Sequence, residues 1–385
     1  MLRIGVNSLQ IQRGRALSVG IYLRHLLDGL GQSDPDAEYV VFASPGTAGT
    51  FAAGKRNFRE VVCPWTHLGR PIRILYEQFA LPILLRRLGI DVLFSPENSA
   101  PLVLPCRSVL GVQMMMMYTT PECFPGLLRR SYFRRVMRRA AHRADRIVCV
   151  SESIRREVTR YLQVPREKTV VIPEAPAAYF RPMGPERSRE VVVRKYGLGG
   201  RYFLCVAIMA PYKNLHRLVD AFAKVCQHPG VDHDLVLAGG EDAWPGYRES
   251  VARRVDELGL NSRVRFLGSV EHTELPALYS AADALVFPSL CESFGLPVVE
   301  AMACGCPVIT SNYTCLPETA GGAALLVDPF SVESIAVGMR DVALSADLRE
   351  DLRSAGLARA ARLSWAESGR ALAKVFRDVC SAGCG

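Results

Sequence analysis

Long apolar runs are missing from this 385-residue chain. Nothing in it approaches the roughly 20 consecutive apolar residues of a membrane-spanning helix. MLRIGVNSLQ, at the start, lacks the extended apolar core of a secretory leader and reads as a buried strand, so a cytoplasmic protein is expected. No two of the 12 cysteines stand in C-x-x-C spacing, which leaves neither a zinc ribbon nor a thioredoxin-type redox motif. Cys149, Cys205 and Cys226 fall inside apolar strand or helix patterns, and Cys304 and Cys306 lie one residue apart. Reduced thiols acting as small hydrophobes are the expectation. The seven histidines show no H-x-x-x-H pair, and no metal site is expected. Asp34-Pro35-Asp36 and Asp232-His233-Asp234 have D-x-D form, but both precede or begin strands at the amino-terminal edge of their sheets. No G-x-G-x-x-G follows Val6 or Val206, which argues against an NAD-dependent dehydrogenase.

What is present describes a globular α/β protein. Hydrophobic residues make up 49% and charged residues 22% of the chain, and its length predicts two to three domains. The net charge of +9 is uneven: residues 1–180 hold 25 Lys and Arg against 14 Asp and Glu, the rest 22 against 24. That asymmetry points to an anionic partner for the first half. Short β-rich apolar runs alternate with helical patterns throughout, six strands being expected in each half. Nearly continuous apolar strands mean parallel sheets covered on both faces, hence two doubly wound, Rossmann-like sheets. Pro173, Pro176, Pro182 and Pro185 cluster with charged residues, so the stretch to about Gly200 reads as an interdomain linker. Domains over 1–180 and 181–363 follow.

The sharpest local feature is the run from Cys291 to Met302, CESFGLPVVEAM, which leaves a strand and enters a helix. Pro297 suits the first helical position and Gly305 the stop. Such a turn presents free backbone N–H groups and a positive dipole end to phosphate or sugar oxygens. Glu292 lies in the loop and Glu300 about one turn into the helix; ionised carboxylates can each accept hydrogen bonds from vicinal hydroxyls. Pro211-Tyr212-Lys213-Asn214 follows another strand, where Lys213 would offer a compact positive charge to a diphosphate.

Four stretches carry a family resemblance: RVRFLGSV (263–270), ELPALYSAADALVFPS (274–289), ESFGLPVVEAMACGCPVITSN (292–312) and LPETAGGAALLVDP (316–329). Together they resemble the C-terminal domain of retaining glycosyltransferases of family 4, and the E-x7-E spacing of Glu292 and Glu300 is that family's hallmark. The resemblance implies the GT-B fold, with two Rossmann-like domains facing a central cleft and a C-terminal helix, about 364–380, packing back on the first domain. It further implies that Glu292 contacts donor-sugar hydroxyls and Glu300 holds the ribose. The backbone of Phe294, Gly295 and Leu296 would face sugar and phosphate, and Lys213 the diphosphate. The segment Gly268-Ser269-Val270 would contact the base through main chain, with Val270 lining it.

In the first half the family carries a glycine-rich loop over the diphosphate. Here Arg13 to Gly20 corresponds, with Gly20 at the glycine just before the helix and Ser18 where a second glycine is common. Where relatives have His-Asp, this chain has Gln113 and Met114. Glutamine donates and accepts hydrogen bonds but cannot exchange protons. Ala207 and Tyr212 replace a glycine and an arginine of the family's lysine motif, and Ile208 stands where many members place an arginine on the diphosphate. The implied activity is retaining, metal- and cofactor-free transfer of a hexose, such as mannose or glucose, from a GDP- or UDP-linked donor. A glycan or polyprenyl-linked acceptor in bacterial polysaccharide or glycoconjugate synthesis is implied by the resemblance alone. Seven arginines between Arg129 and Arg143, interleaved with Tyr132, Phe133, Val136 and Met137, make 127–143 a basic helix. It reads either as a solvated face or as a contact for an anionic membrane surface or a polyprenyl phosphate. No nucleic-acid-binding module is present. A nucleotide-sugar epimerase or a glycogen-type phosphorylase would fit the fold but less well the E-x7-E segment. A non-catalytic nucleotide-sugar-binding protein would fit the absent histidine.

Overall fold

A computed structural model describes residues 1–11, 17–123, 126–240 and 244–381. The chain divides into two compact units, Met1–Glu174 with Ser364–Gly385, and Ala175–Leu363. The first unit holds strands β1 (Arg3–Asn7), β2 (Glu38–Ala43), β3 (Phe58–Val62), β4 (Val92–Ser95), β5 (Arg107–Val112), β6 (Arg146–Cys149) and β7 (Thr169–Val171). They form one parallel sheet in the order β3-β2-β1-β4-β5-β6-β7. The second unit holds β8 (Tyr202–Val206), β9 (Asp234–Ala238), β10 (Val264–Gly268), β11 (Ala284–Phe287), β12 (Val308–Ser311) and β13 (Leu325–Val327). Its order is β10-β9-β8-β11-β12-β13, again parallel throughout. Every residue of β4, β11 and β12 is buried, as expected of strands covered by helices on both faces.

In each sheet the chain winds outward from its first strand, returns beside it and winds the other way. The reversal falls between β1 and β4 in one unit and between β8 and β11 in the other. Loops leaving the carboxyl ends of two such strands diverge and leave a crevice for ligand.

Three features differ from the expectations. The first sheet has a seventh strand, β3, on its edge; Arg59 and Glu60 interrupt its apolar pattern because an edge strand is covered on fewer sides. The supposed linker contains a helix, Pro185–Tyr196, with proline in its first turn and Ser188 and Val192 buried. The unit boundary also lies earlier than residue 180, because Ala177 and Phe180 join the second core. Phe180 stacks edge-on to His272 at 5.0 Å.

Helix Trp365–Ser381 belongs to the first unit and lies along helix Leu17–Ser33. Gly29 and Gly369 face each other so closely that a Cβ on either would overlap the other helix's backbone. Trp365 packs edge-on to Tyr22 at 5.9 Å, the Ser368 hydroxyl donates to the Pro173 carbonyl at 2.7 Å, and Arg377 pairs with buried Asp34. Asp34, the first carboxylate of one D-x-D, is thereby a structural anchor. Asp234 of the other begins β9.

Candidate functional site

The loop leaving β8 closes with a short 3-10 turn, Pro211–Lys213, and Asn214 then adopts left-handed backbone at φ 63° before helix Leu215–Val225. Asparagine tolerates that conformation better than most residues. Its side-chain amide donates to the carbonyls of Pro288, at 3.0 Å, and Pro329, at 2.7 Å. The Tyr212 carbonyl in turn accepts from the Leu290 N–H at 2.8 Å and the Ser289 hydroxyl at 3.0 Å. The Pro288 and Tyr212 bonds stitch the β8 loop to the β11 loop across the reversal point of the sheet, and the Pro329 bond ties it to the loop after β13. The residues between Pro211 and Asn214 are therefore held in register with those between Pro288 and Gly295.

Held this way, Lys213 Nζ meets Glu292 Oε1 at 2.5 Å, with both side chains largely buried. The ammonium also lies 5.0 Å from the Phe287 ring centroid and 5.3 Å from that of Tyr212. Burial pulls the Lys213 pKa down, but the Glu292 charge and hydrogen bond outweigh it, so the amine is held above its ordinary value and stays charged.

Gly295 (φ 88°) caps helix Leu296–Ala303, and Pro297 is its second residue rather than its first. A Cβ on Gly295 would sit 2.6 Å from Leu316. Phe294 is buried, and its carbonyl accepts from the Thr319 hydroxyl at 2.5 Å. This fixes the turn that follows Glu292, and helix geometry leaves the first N–H groups beyond it without intrahelical acceptors.

Glu300 is nearly fully buried in that helix. His272 Nε2 lies 2.8 Å from its Oε1, and the Tyr279 hydroxyl donates to Oε2 at 3.3 Å. Behind the imidazole, the Tyr179 hydroxyl is 2.6 Å from His272 Nδ1. Burial, and next the Glu300 charge, push the Tyr279 pKa far up, which keeps this phenol a donor. Sequence reasoning did not find His272, Tyr179 or Tyr279. His272 and Tyr279 are 28 and 21 positions from Glu300, with no periodic relation to it. Val270 follows Gly268 (φ 67°) at the end of β10, two strands out from β8, and packs partly against the core. The segment it begins returns to the site through His272.

In the first unit, Gly20 was expected just before a helix, but helix Leu17–Ser33 places it inside the first turn. Residues Arg13 to Ala16 of the same expected loop lie outside the described residues. Gln113 follows β5. Its N–H donates to Asn98 Oδ1 at 2.9 Å, and among the described residues its buried side-chain amide nitrogen has no hydrogen-bond partner.

A polar cluster that the sequence did not reveal lies at the first sheet's own reversal point. Asn7, ending β1, donates to Glu77 Oε1 at 3.2 Å. Glu77 sits in a π turn, Tyr76–Ala80, flanked by helical segments Arg70–Leu75 and Leu81–Arg87. Among the described residues, buried Arg73 donates to the Gln10 carbonyl at 3.3 Å and makes no ion pair, and Glu97 Oε2, past β4, is buried without a partner. Burial, opposed by Arg73 and Asn7, pushes the Glu77 carboxyl up to about 7. Among the described residues no three His, Cys, Asp or Glu side chains converge as a metal-ligand set. No helix among them is long and apolar enough to cross a membrane.

Comparison with known proteins gives two adjoining family matches. Residues 19–175 match the profile described as Glycosyltransferase Family 4, and residues 189–359 that of Glycosyl transferases group 1. O-antigen chain mannosyltransferase B of Escherichia coli is 33% identical over 261 residues, 67% of either chain. Serotype-specific mannosyltransferase WbdA of Escherichia coli is 31% identical over 228 residues, 59% of this chain and 28% of that longer protein. The crystal structure of Anabaena HepE in complex with UDP and glucose superimposes with a TM-score of 0.77 over 98% of this chain and 100% of that one, at 19% identity.

Proposed function

The chain belongs to the family 4, group 1 glycosyltransferases of GT-B fold, and on that premise we propose that it transfers mannose, with retention, from a nucleoside diphosphate donor to a lipid-linked glycan in bacterial polysaccharide synthesis. The observation that carries this is the buried Lys213–Glu292 pair at the β8/β11 reversal, with Glu292 in the loop that leads into the helix carrying Glu300. Each element suits one part of a sugar–diphosphate–ribose ligand. Glu300, oriented by His272 and Tyr279, accepts the ribose hydroxyls. The N–H groups after Gly295 and the Lys213 ammonium take the diphosphate. Glu292 accepts from the sugar hydroxyls, and the Lys213 ammonium beside it offsets negative charge at the site.

In the transfer, the bond from the anomeric carbon to the diphosphate oxygen breaks and a bond from the acceptor oxygen to the same carbon forms on the same face. The acceptor's proton passes to the departing diphosphate, so no side-chain base and no metal is required. This agrees with a glutamine at position 113. Mannose is favoured over glucose by the two Escherichia coli relatives, both mannosyltransferases by name. The helix Leu127–Arg143 meets anionic headgroups at the inner face of the membrane that holds the acceptor.

Calorimetric titration with UDP, GDP and ADP, beside Glu300→Ala, tests this function. One nucleotide should bind, and the substitution should abolish its binding. Equal binding to both proteins would sink the ribose assignment, and no binding at all would sink the donor site.

A further inference from the structure

The helical run from Arg70 to Arg87 is inside out. Its inner face buries Arg73 and Glu77 along with Leu81 and Leu85. Its outer face presents Ile72, Leu75, Phe79 and Ile83, with Phe79 exposed to 69%, Leu75 to 58% and Ile83 to 55%. Ordinary surface helices show the opposite pattern, polar residues out and apolar residues in. Trp65, 62% exposed, and Leu68 extend the apolar surface through the turn that leads into the run. Contiguous apolar patches of this kind mark interaction sites.

We propose that this outer face and the arginines of helix Leu127–Arg143 form one docking surface, with the apolar side chains entering a bilayer whose anionic headgroups the arginines bind. Two connections place both elements on one side of the first unit. The Arg70 guanidinium lies 5.4 Å from the Phe133 ring centroid. The loop at Leu102 joins them again: its N–H donates to Gln78 Oε1 at 3.0 Å and its carbonyl accepts from Arg143. Val103 is exposed beside it. Helix Leu127–Arg143 carries seven arginines and no acidic residue. Arg130 and Arg134 turn to the carbonyls of Pro121 and Met117, whereas Arg135 and Arg139 are exposed with no acceptor among the described residues.

Charge of one sign beside an apolar stripe selects the occupant. A second copy of this chain would set arginine against arginine, whereas a bilayer offers an apolar interior beneath a negative surface and matches both halves. The inference rests on the membrane contact of helix Leu127–Arg143 proposed above, and adds to it an insertion face that charge alone does not imply.

The test is flotation of the full chain with vesicles of phosphatidylcholine alone and of mixed phosphatidylcholine and phosphatidylglycerol. Wild type should float with the mixed vesicles only. Phe79→Ser with Ile83→Ser should lower partitioning by about tenfold or more without changing the thermal unfolding curve. Arg135→Ala with Arg139→Ala should weaken binding and flatten its salt dependence. Trp65 is a built-in reporter: its emission should shift to the blue with mixed vesicles, a change lost in Trp65→Phe. If the serine variant floats like wild type and Trp65 emission is unmoved, the insertion face is refuted and the arginine contact stands alone. If wild type does not float at all, both fail. A dimer that the serine variant dissolves would show that a second copy covers this face, and would also overturn the inference.

Discussion

Lys213 and Glu292, 79 positions apart, form a 2.5 Å ion pair across the point where the second sheet reverses its winding. Neither loop alone could hold it. The pair depends on the hydrogen bonds from Asn214 to Pro288 and from Ser289 and Leu290 to Tyr212 that clamp the two loops together.

Lys213→Ala leaves Glu292 buried without its cation. Breaking a buried pair from one side costs about 3 kcal/mol or more, whereas Lys213→Met with Glu292→Leu removes both charges and should recover much of the loss. Urea unfolding of the three proteins checks the order. Both variants should lose nucleoside diphosphate binding.

His272 should matter for nucleotide affinity without contributing a proton. His272→Ala frees Oε1 of Glu300 and should weaken nucleotide binding by about tenfold, close to one charge-assisted hydrogen bond. Tyr279→Phe should cost less, because its bond to Oε2 is longer, at 3.3 Å. Calorimetry on these variants separates orientation of the carboxylate from its presence, which Glu300→Ala removes. An unchanged affinity in His272→Ala would remove His272 from the site.

The Glu77 carboxyl imposes a pH dependence on stability. Its folded pKa is raised from 4.5 to about 7, so the native state holds this proton more tightly than the unfolded chain. The stability it confers is fully present below about pH 4.5 and is lost as pH rises through about 7, by up to about 3 kcal/mol. Glu157, also raised to about 7 by burial, acts in the same direction. Glu77→Gln should flatten its own share of this slope when urea midpoints are compared across the window. Identical slopes in variant and wild type would show that burial of Glu77 does not set them.

Gly29→Ala or Gly369→Ala should each destabilise the first unit by about 2 kcal/mol or more, because the added methyl meets backbone that cannot rotate away. Amide exchange along Trp365–Ser381 should accelerate in both variants. The control Gly184→Ala, where nothing lies within 4 Å of the added Cβ, should leave the exchange unchanged.

Much of this fold was legible because buried parallel strands are nearly pure apolar runs. Residues 202–206 and 284–287 announce β8 and β11 without help from neighbours. The edge strand Phe58–Val62 escaped because the charged Arg59 and Glu60 interrupt its apolar run. Helix Pro185–Tyr196 escaped because Pro185, the prolines before it and the helix's charges look like linker chemistry until Val192 is seen to be buried. At the site, Glu292, Glu300 and Lys213 stood out as carboxylates and a lysine beside strand-to-helix turns. His272, Tyr179 and the Arg73–Glu77–Glu97 cluster did not, because they meet through the packing of distant segments. The exposed stripe of Leu75, Phe79 and Ile83 was concealed by its own composition: the sequence shows an apolar helix but not which side of it is covered.

The return of Trp365–Ser381 to helix Leu17–Ser33 orders events during synthesis. A ribosome completes all of the second unit before it releases the last helix of the first. Until then the groove over Gly29, and the rings of Tyr22 and His25 that await Trp365, are open to solvent and to other nascent chains. The first unit to be made is thus the last to be finished.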